Sequence, residues 1–61
     1  MNSAVKIFME RDGMSKGEAV NYWREIRKEV SEILKNGGSY DEVEDLLMSE
    51  GLEMDYAMDF I

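Results

Sequence analysis

Ala19, Trp23, Ile26, Val30 and Ile33 follow one another at intervals of four, three, four and three residues. That recurrence is one face of an α-helix, and no strand period reproduces it. Leu34 widens the stripe at its end, and the pattern predicts a helix over residues 16–36. At about 1.5 Å per residue such a helix is about 30 Å long, the longest element that the chain can make. In a 61-residue chain everything else must pack on it. There is no cysteine for a disulfide, so stability must come from packed helices, from self-association, or from both.

The starts and stops of the other helices are written in caps and glycines. Ser15-Lys16-Gly17-Glu18 and Ser39-Tyr40-Asp41-Glu42 both read Ser-x-x-Glu. In such a box the serine oxygen accepts a first-turn N–H, while the glutamate reaches back to the serine N–H. Gly13, the pair Gly37-Gly38, and Gly51 each follow an apolar stretch, where a residue in the left-handed conformation closes a helix. Four helices result, over residues 3–12, 16–36, 40–49 and 53–61. The first shows Val5, Phe8 and Met9 on one side; the third shows Val43, Leu46 and Leu47. The fourth carries Met54, Ala57, Met58 and Ile61 at i, i+3, i+4 and i+7. An offset of 38 residues aligns Val5 with Val43, Gly13 with Gly51 and Ala19 with Ala57, a helix, glycine turn and helix used twice. The expected fold is therefore all-α and single-domain, a small bundle of about four helices. It is arranged as two helical hairpins around the long second helix, with Trp23 at the centre of the core.

The stripe of the second helix also has the spacing of a coiled-coil seam. It lasts about two heptads, whereas such a seam wants three or four, so a core face covered by the chain's own short helices is the preferred reading. A homodimer is the alternative, because so small a core is marginal. On the outer side of this helix, Glu25–Lys28, Lys28–Glu32 and Glu32–Lys35 have the spacing of ion pairs, which predicts a self-compensated, solvated face.

Charge is distributed unevenly. Residues 1–36 carry seven basic and six acidic side chains; residues 37–61 carry eight acidic and none basic, for a net of −7 overall. An acidic surface repels nucleic acid and anionic lipid and favours basic partners, so direct nucleic-acid binding is not expected. The two hairpins have the outline of a helix-turn-helix, but the fourth helix would present Glu53, Asp55 and Asp59 to a phosphate backbone. No run approaches a membrane span and the first residues lack a signal-peptide core, which gives the cytoplasm as the expected location.

Catalysis and metal binding find little support. With no cysteine and no histidine, the usual metal ligands and the usual base at neutral pH are missing, and no cofactor is expected. Asp41, Glu42, Glu44 and Asp45 fall in the first turns of the third helix, where the helix dipole favours negative charge, and they lack the alternation of a calcium loop. Paired carboxylates do acid–base work only in a pocket, which a chain this short hardly encloses. The expected role is instead a non-catalytic protein–protein interaction. The chain has six methionines, and in the fourth helix Tyr56 and Phe60 widen the stripe of Met54, Ala57, Met58 and Ile61, leaving it apolar on more than one side. Glu50, Glu53, Asp55, Tyr56, Asp59 and Phe60 are accordingly the candidate partner-binding residues. A wide core stripe ending in a frayed terminus explains the same pattern. Besides self-assembly, a sharper alternative is that the acidic second half mimics nucleic acid and blocks a basic groove on its partner.

Gly13-Met14-Ser15-Lys16-Gly17-Glu18-Ala19 and Gly51-Leu52-Glu53-Met54-Asp55-Tyr56 resemble motifs of short helical proteins of unknown function from phages and prophages of Gram-positive bacteria. There the first motif looks like G-M-S-x-x-E-A and the last like G-L-E-P-D-Y. Met54 stands in place of that proline, a residue suited to the first turn of a helix. The resemblance spans most of the chain and rests mainly on caps and turns. It implies a phage accessory origin and brings no catalytic or binding residues with it.

Overall fold

The computed structural model describes residues 3–60, apart from the side chain of Met54. Three α-helices, α1 (Ser3–Asp12), α2 (Lys16–Lys35) and α3 (Tyr40–Ser49), precede a 3-10 helix over Met54–Phe60. No strand forms among the described residues. The 20 residues of α2 set the long axis of a body measuring 34 × 18 × 17 Å. The α1 helix folds back on α2, while α3 and the 3-10 helix pack on each other and both on α2. This is the expected pair of hairpins around a long second helix.

The caps explain the boundaries. Ser15 accepts the Glu18 N–H and the Glu18 carboxylate accepts the Ser15 N–H, both at 3.2 Å, so the first capping box is closed. Those bonds hold the Glu18 carboxyl below its ordinary range. At the other end of α2, Gly37 takes φ +83° and its N–H reaches the Leu34 carbonyl, while the Gly38 N–H reaches that of Ile33 at 2.7 Å. The same double closure recurs after α3, where Gly51 (φ +72°) donates to Met48 and Leu52 donates to Leu47, both at 2.9 Å. Together these bonds satisfy carbonyls that a helix end leaves open. Asn36 is the cap of α2 rather than its last helical residue.

The second capping box does not form. Ser39 has the extended backbone of a cap, but its side chain makes no capping bond. The Glu42 carboxylate lies over Gly38 instead: a methyl group there would stand 2.5 Å from Glu42 Oε2 and from Ile33 Cγ2, and 2.7 Å from the Ile33 carbonyl. The Glu42 side chain thus sits against the hairpin turn rather than back on Ser39.

Ten side chains form the described core: Ala4, Val5 and Phe8 from α1, Ala19, Ile26 and Val30 from α2, Val43 and Leu47 from α3, then Leu52 and Phe60. Trp23 is half-buried and does not occupy the centre; Phe8, Phe60 and Leu47 are the largest of the fully enclosed side chains. The indole N–H has to find an acceptor, and it finds the Asp59 carbonyl at 2.9 Å, which places the ring at the edge of the core beneath the chain's end. Phe8 makes an edge-to-face contact with Tyr22 at 4.9 Å, tying α1 to the first half of α2.

The C-terminal helix differs in kind from expectation. A 3-10 helix turns every three residues, so Ala57 and Phe60 share one side, whereas an α-helix would group Ala57 with Met58 and Ile61. Ala57 and Tyr56 are half-buried, Phe60 is enclosed, and Met58 is 81% exposed. The inward place that the α-helical stripe gave to Met58 belongs to Phe60. The Met54 side chain and Ile61, the two ends of that stripe, lie outside the described residues. Seven residues gain little from helical hydrogen bonding alone, so the segment adopts the winding that sets Phe60 in the core and the Asp59 carbonyl on Trp23.

Candidate interaction surfaces

Of the six residues proposed from sequence as a partner surface, the structure leaves two fully at the surface, Glu53 and Asp55. Tyr56 and Asp59 are half-buried, and Asp59 lends its carbonyl to Trp23. Phe60 is a core residue at 2% exposure and offers almost no surface of its own, a correction to its place in the candidate set. Glu50 is engaged within the fold, because the Tyr22 hydroxyl donates to its carboxylate.

That last bond belongs to a polar junction where the ends of α1 and α3 meet α2. Arg11 donates from Nη1 to the Gly51 carbonyl at 2.8 Å and from Nη2 to the Glu50 carbonyl at 3.1 Å, closing the end of α3 with a cation. Its Nε and Nη2 also grip the Asp12 carboxylate, at 2.9 and 3.1 Å. The pairing pushes the guanidinium pKa up and the Asp12 pKa down. Tyr22 is pushed up to about 12, first by its bond to Glu50 and then by burial. Arg11, Tyr22 and Glu50 thus tie the helices together, while Asp12 pairs with its neighbour Arg11.

Unspent groups lie on the outward side of α3. Asp41, Glu44, Asp45 and Met48 stand at i, i+3, i+4 and i+7, a stripe rotated away from the core residues Val43 and Leu47. Tyr40, at the helix start, is 61% exposed and Met48 is 62% exposed. Beside the stripe a shallow trough of about 380 Å³ is lined by Glu44, Met48, Leu52 and Glu53. Here Glu53, one of the two candidates left at the surface, joins Glu44 and Met48, which were not in the sequence-derived site. The available signal was Met48 itself, an apolar residue off the stripe of Val43, Leu46 and Leu47.

The opposite charge gathers on α2. A groove of about 590 Å³ is lined by Arg24, Arg27, Lys28 and Lys35, with Glu32 its one carboxylate. Val30, Leu34 and Phe60 also line it, giving it an apolar floor. Arg27 lies 5.7 Å from the Trp23 ring centre, held by the ring face. The intrahelical pairs expected from Glu25, Lys28, Glu32 and Lys35 are not made. Among the described residues the ion pair is Arg11–Asp12, and no carboxylate stands within 4.0 Å of the four groove cations. Exposed pairs of this kind are worth only a few tenths of a kcal/mol, so little stability is lost without them.

Among the described residues there is no group of three or more metal-ligating side chains, and no helix is long and apolar enough to cross a membrane. Compared with known protein families, curated proteins and solved structures, the chain matches none.

Proposed function

We propose that this chain is a non-catalytic protein-interaction module whose outward α3 face docks a basic surface of another protein. The observation that carries the reading is Tyr40 and Met48, both more than 60% exposed, set among Asp41, Glu44, Asp45 and Glu53 on a segment without a cation. Exposed apolar side chains ringed by one sign of charge have the composition of a docking patch, with contact area from the apolar groups and orientation from the carboxylates. The acids at the start of α3 also favour its helix dipole, but that role requires neither Met48 nor Glu53. A phage or prophage accessory factor acting on a host protein is the setting that the sequence resemblance implies, and we adopt it as part of the proposal.

Two variants with equal loss of charge test the reading. Asp41→Asn, Glu44→Gln and Asp45→Asn neutralise three acids on α3; Glu25→Gln, Glu29→Gln and Glu32→Gln neutralise three on α2. Capture of a lysine- and arginine-rich partner from the producing cell is expected to be lost with the first and kept with the second. Equal capture by both, or equal loss, would show that the α3 face has no special part.

A further inference from the structure

The two charged faces of this chain are complementary to each other. Along α2 the groove runs from Arg24 to Lys35, about 16 Å at 1.5 Å per residue, and the ten residues of α3 span about 15 Å. One side offers four cations without an ion-pair partner among the described residues, over a floor that includes the half-buried Leu34. The other offers Asp41, Glu44 and Asp45 with Met48 and Tyr40 between and beside them. Within one molecule the two cannot meet: Val43 and Leu47 turn α3 into the shared core, so its charged stripe points away from α2.

We propose that the basic groove on α2 of one copy receives the outward α3 stripe of a second copy, joining copies head to tail. Met48 and Tyr40 cover the apolar floor, and the α3 carboxylates take the place of the intrahelical partners that Arg24, Lys28 and Lys35 lack. The contact uses different patches on its two sides, so each copy keeps one free face of each kind and growth does not stop at a dimer unless a ring closes. The net charge of −7 on every copy opposes the approach. At about 0.15 M salt the Debye length is about 8 Å, so repulsion between whole molecules is largely screened while contact pairs are screened less. The inference uses the same α3 face as the partner reading, so a second copy competes with another protein for it; the mass of the purified chain tests the self-association alone.

Light scattering on the full chain at 0.15 M salt, from micromolar to millimolar, provides the test. The mass is expected to rise above the 7.1 kDa monomer with concentration and to fall back in 1 M salt. Arg24→Gln, Lys28→Gln and Lys35→Gln remove the groove charge while leaving Arg27 on Trp23. Glu44→Gln, Asp45→Asn and Met48→Ala remove the stripe. Each triple variant, verified as folded by circular dichroism, is expected to weaken association at least tenfold. A mixture of the two retains one intact groove and one intact stripe, and is expected to form a 1:1 dimer and nothing larger. A wild-type monomer up to 1 mM, association that survives in either variant, or a mixture that stays monomeric would overturn the proposal.

Discussion

Truncating Phe60 and truncating Met58 should have opposite consequences, and the contrast follows from the winding of the last seven residues. Phe60 is 2% exposed and packs 6.4 Å, ring centre to ring centre, from Trp23. Removing a buried phenylalanine side chain costs about 3–5 kcal/mol, the sum of lost transfer energy and an incompletely filled cavity. A domain of this length has a total stability of about 3–9 kcal/mol, so Phe60→Ala should remove about a third of it at the least and up to all of it. Met58 is 81% exposed, and Met58→Ala should stay within about 0.5 kcal/mol of wild type. Urea unfolding followed by tryptophan fluorescence is the assay, since Trp23 is the only tryptophan and its indole N–H is held by Asp59. With a slope of about 1 kcal/mol per molar urea for a small domain, the Phe60→Ala midpoint should fall by about 3 M or the transition should vanish. An α-helical terminus would reverse the order, turning Met58 inward with Ala57. Greater loss from Met58→Ala than from Phe60→Ala would refute the 3-10 register and the placement of the core that depends on it.

Other outcomes follow from the turns and the polar junction. Gly17 lies in α2 with open space where a methyl group would go, so Gly17→Ala should stabilise by about 0.5–1 kcal/mol in thermal unfolding. Gly38→Ala should instead destabilise by about 1–3 kcal/mol, because the Ile33 carbonyl at 2.7 Å is backbone and cannot swing aside. Tyr22 is held protonated in the fold, with its pKa raised to about 12 against about 10 in an unfolded chain. Its contribution is therefore complete below pH about 10 and lost as pH rises through about 12, and Tyr22→Phe should flatten unfolding free energy over that window. Glu18 is shifted the other way, so its contribution is present above the unfolded carboxylate range and lost as pH falls through the lower folded value. Glu18→Gln should make the acid limb of a stability profile less steep.

Helix positions and closures were legible because they rest on local chemistry. Ser15 and Glu18 bond only across three residues, and Gly13, Gly37 and Gly51 adopt the left-handed backbone that their places required. Where a side chain had two competing uses, reading the sequence failed. Glu42 had the spacing of a cap, yet its carboxylate lies over the hairpin turn at Gly38 instead. Trp23 sat in the middle of the stripe, yet its N–H drew it to the core's edge. Phe60 was assigned to the surface through an α-helical period, when three residues per turn put it inside. For the same reason the candidate site moved from the chain's end to α3. Apolar excess near the end was visible in composition, but which apolar residues face out depends on long-range packing that periodicity does not carry.

The acidic α3 face, which ends at Met48, is proposed as the place where this chain meets another protein. A photoreactive amino acid placed at position 48 tests it directly in the producing cell, with position 29, exposed among carboxylates on α2, as the control. An adduct is expected at position 48 with a protein other than this chain, rich in lysine and arginine, and none of that adduct at position 29. The same adduct at both positions, or none at position 48, would contradict it.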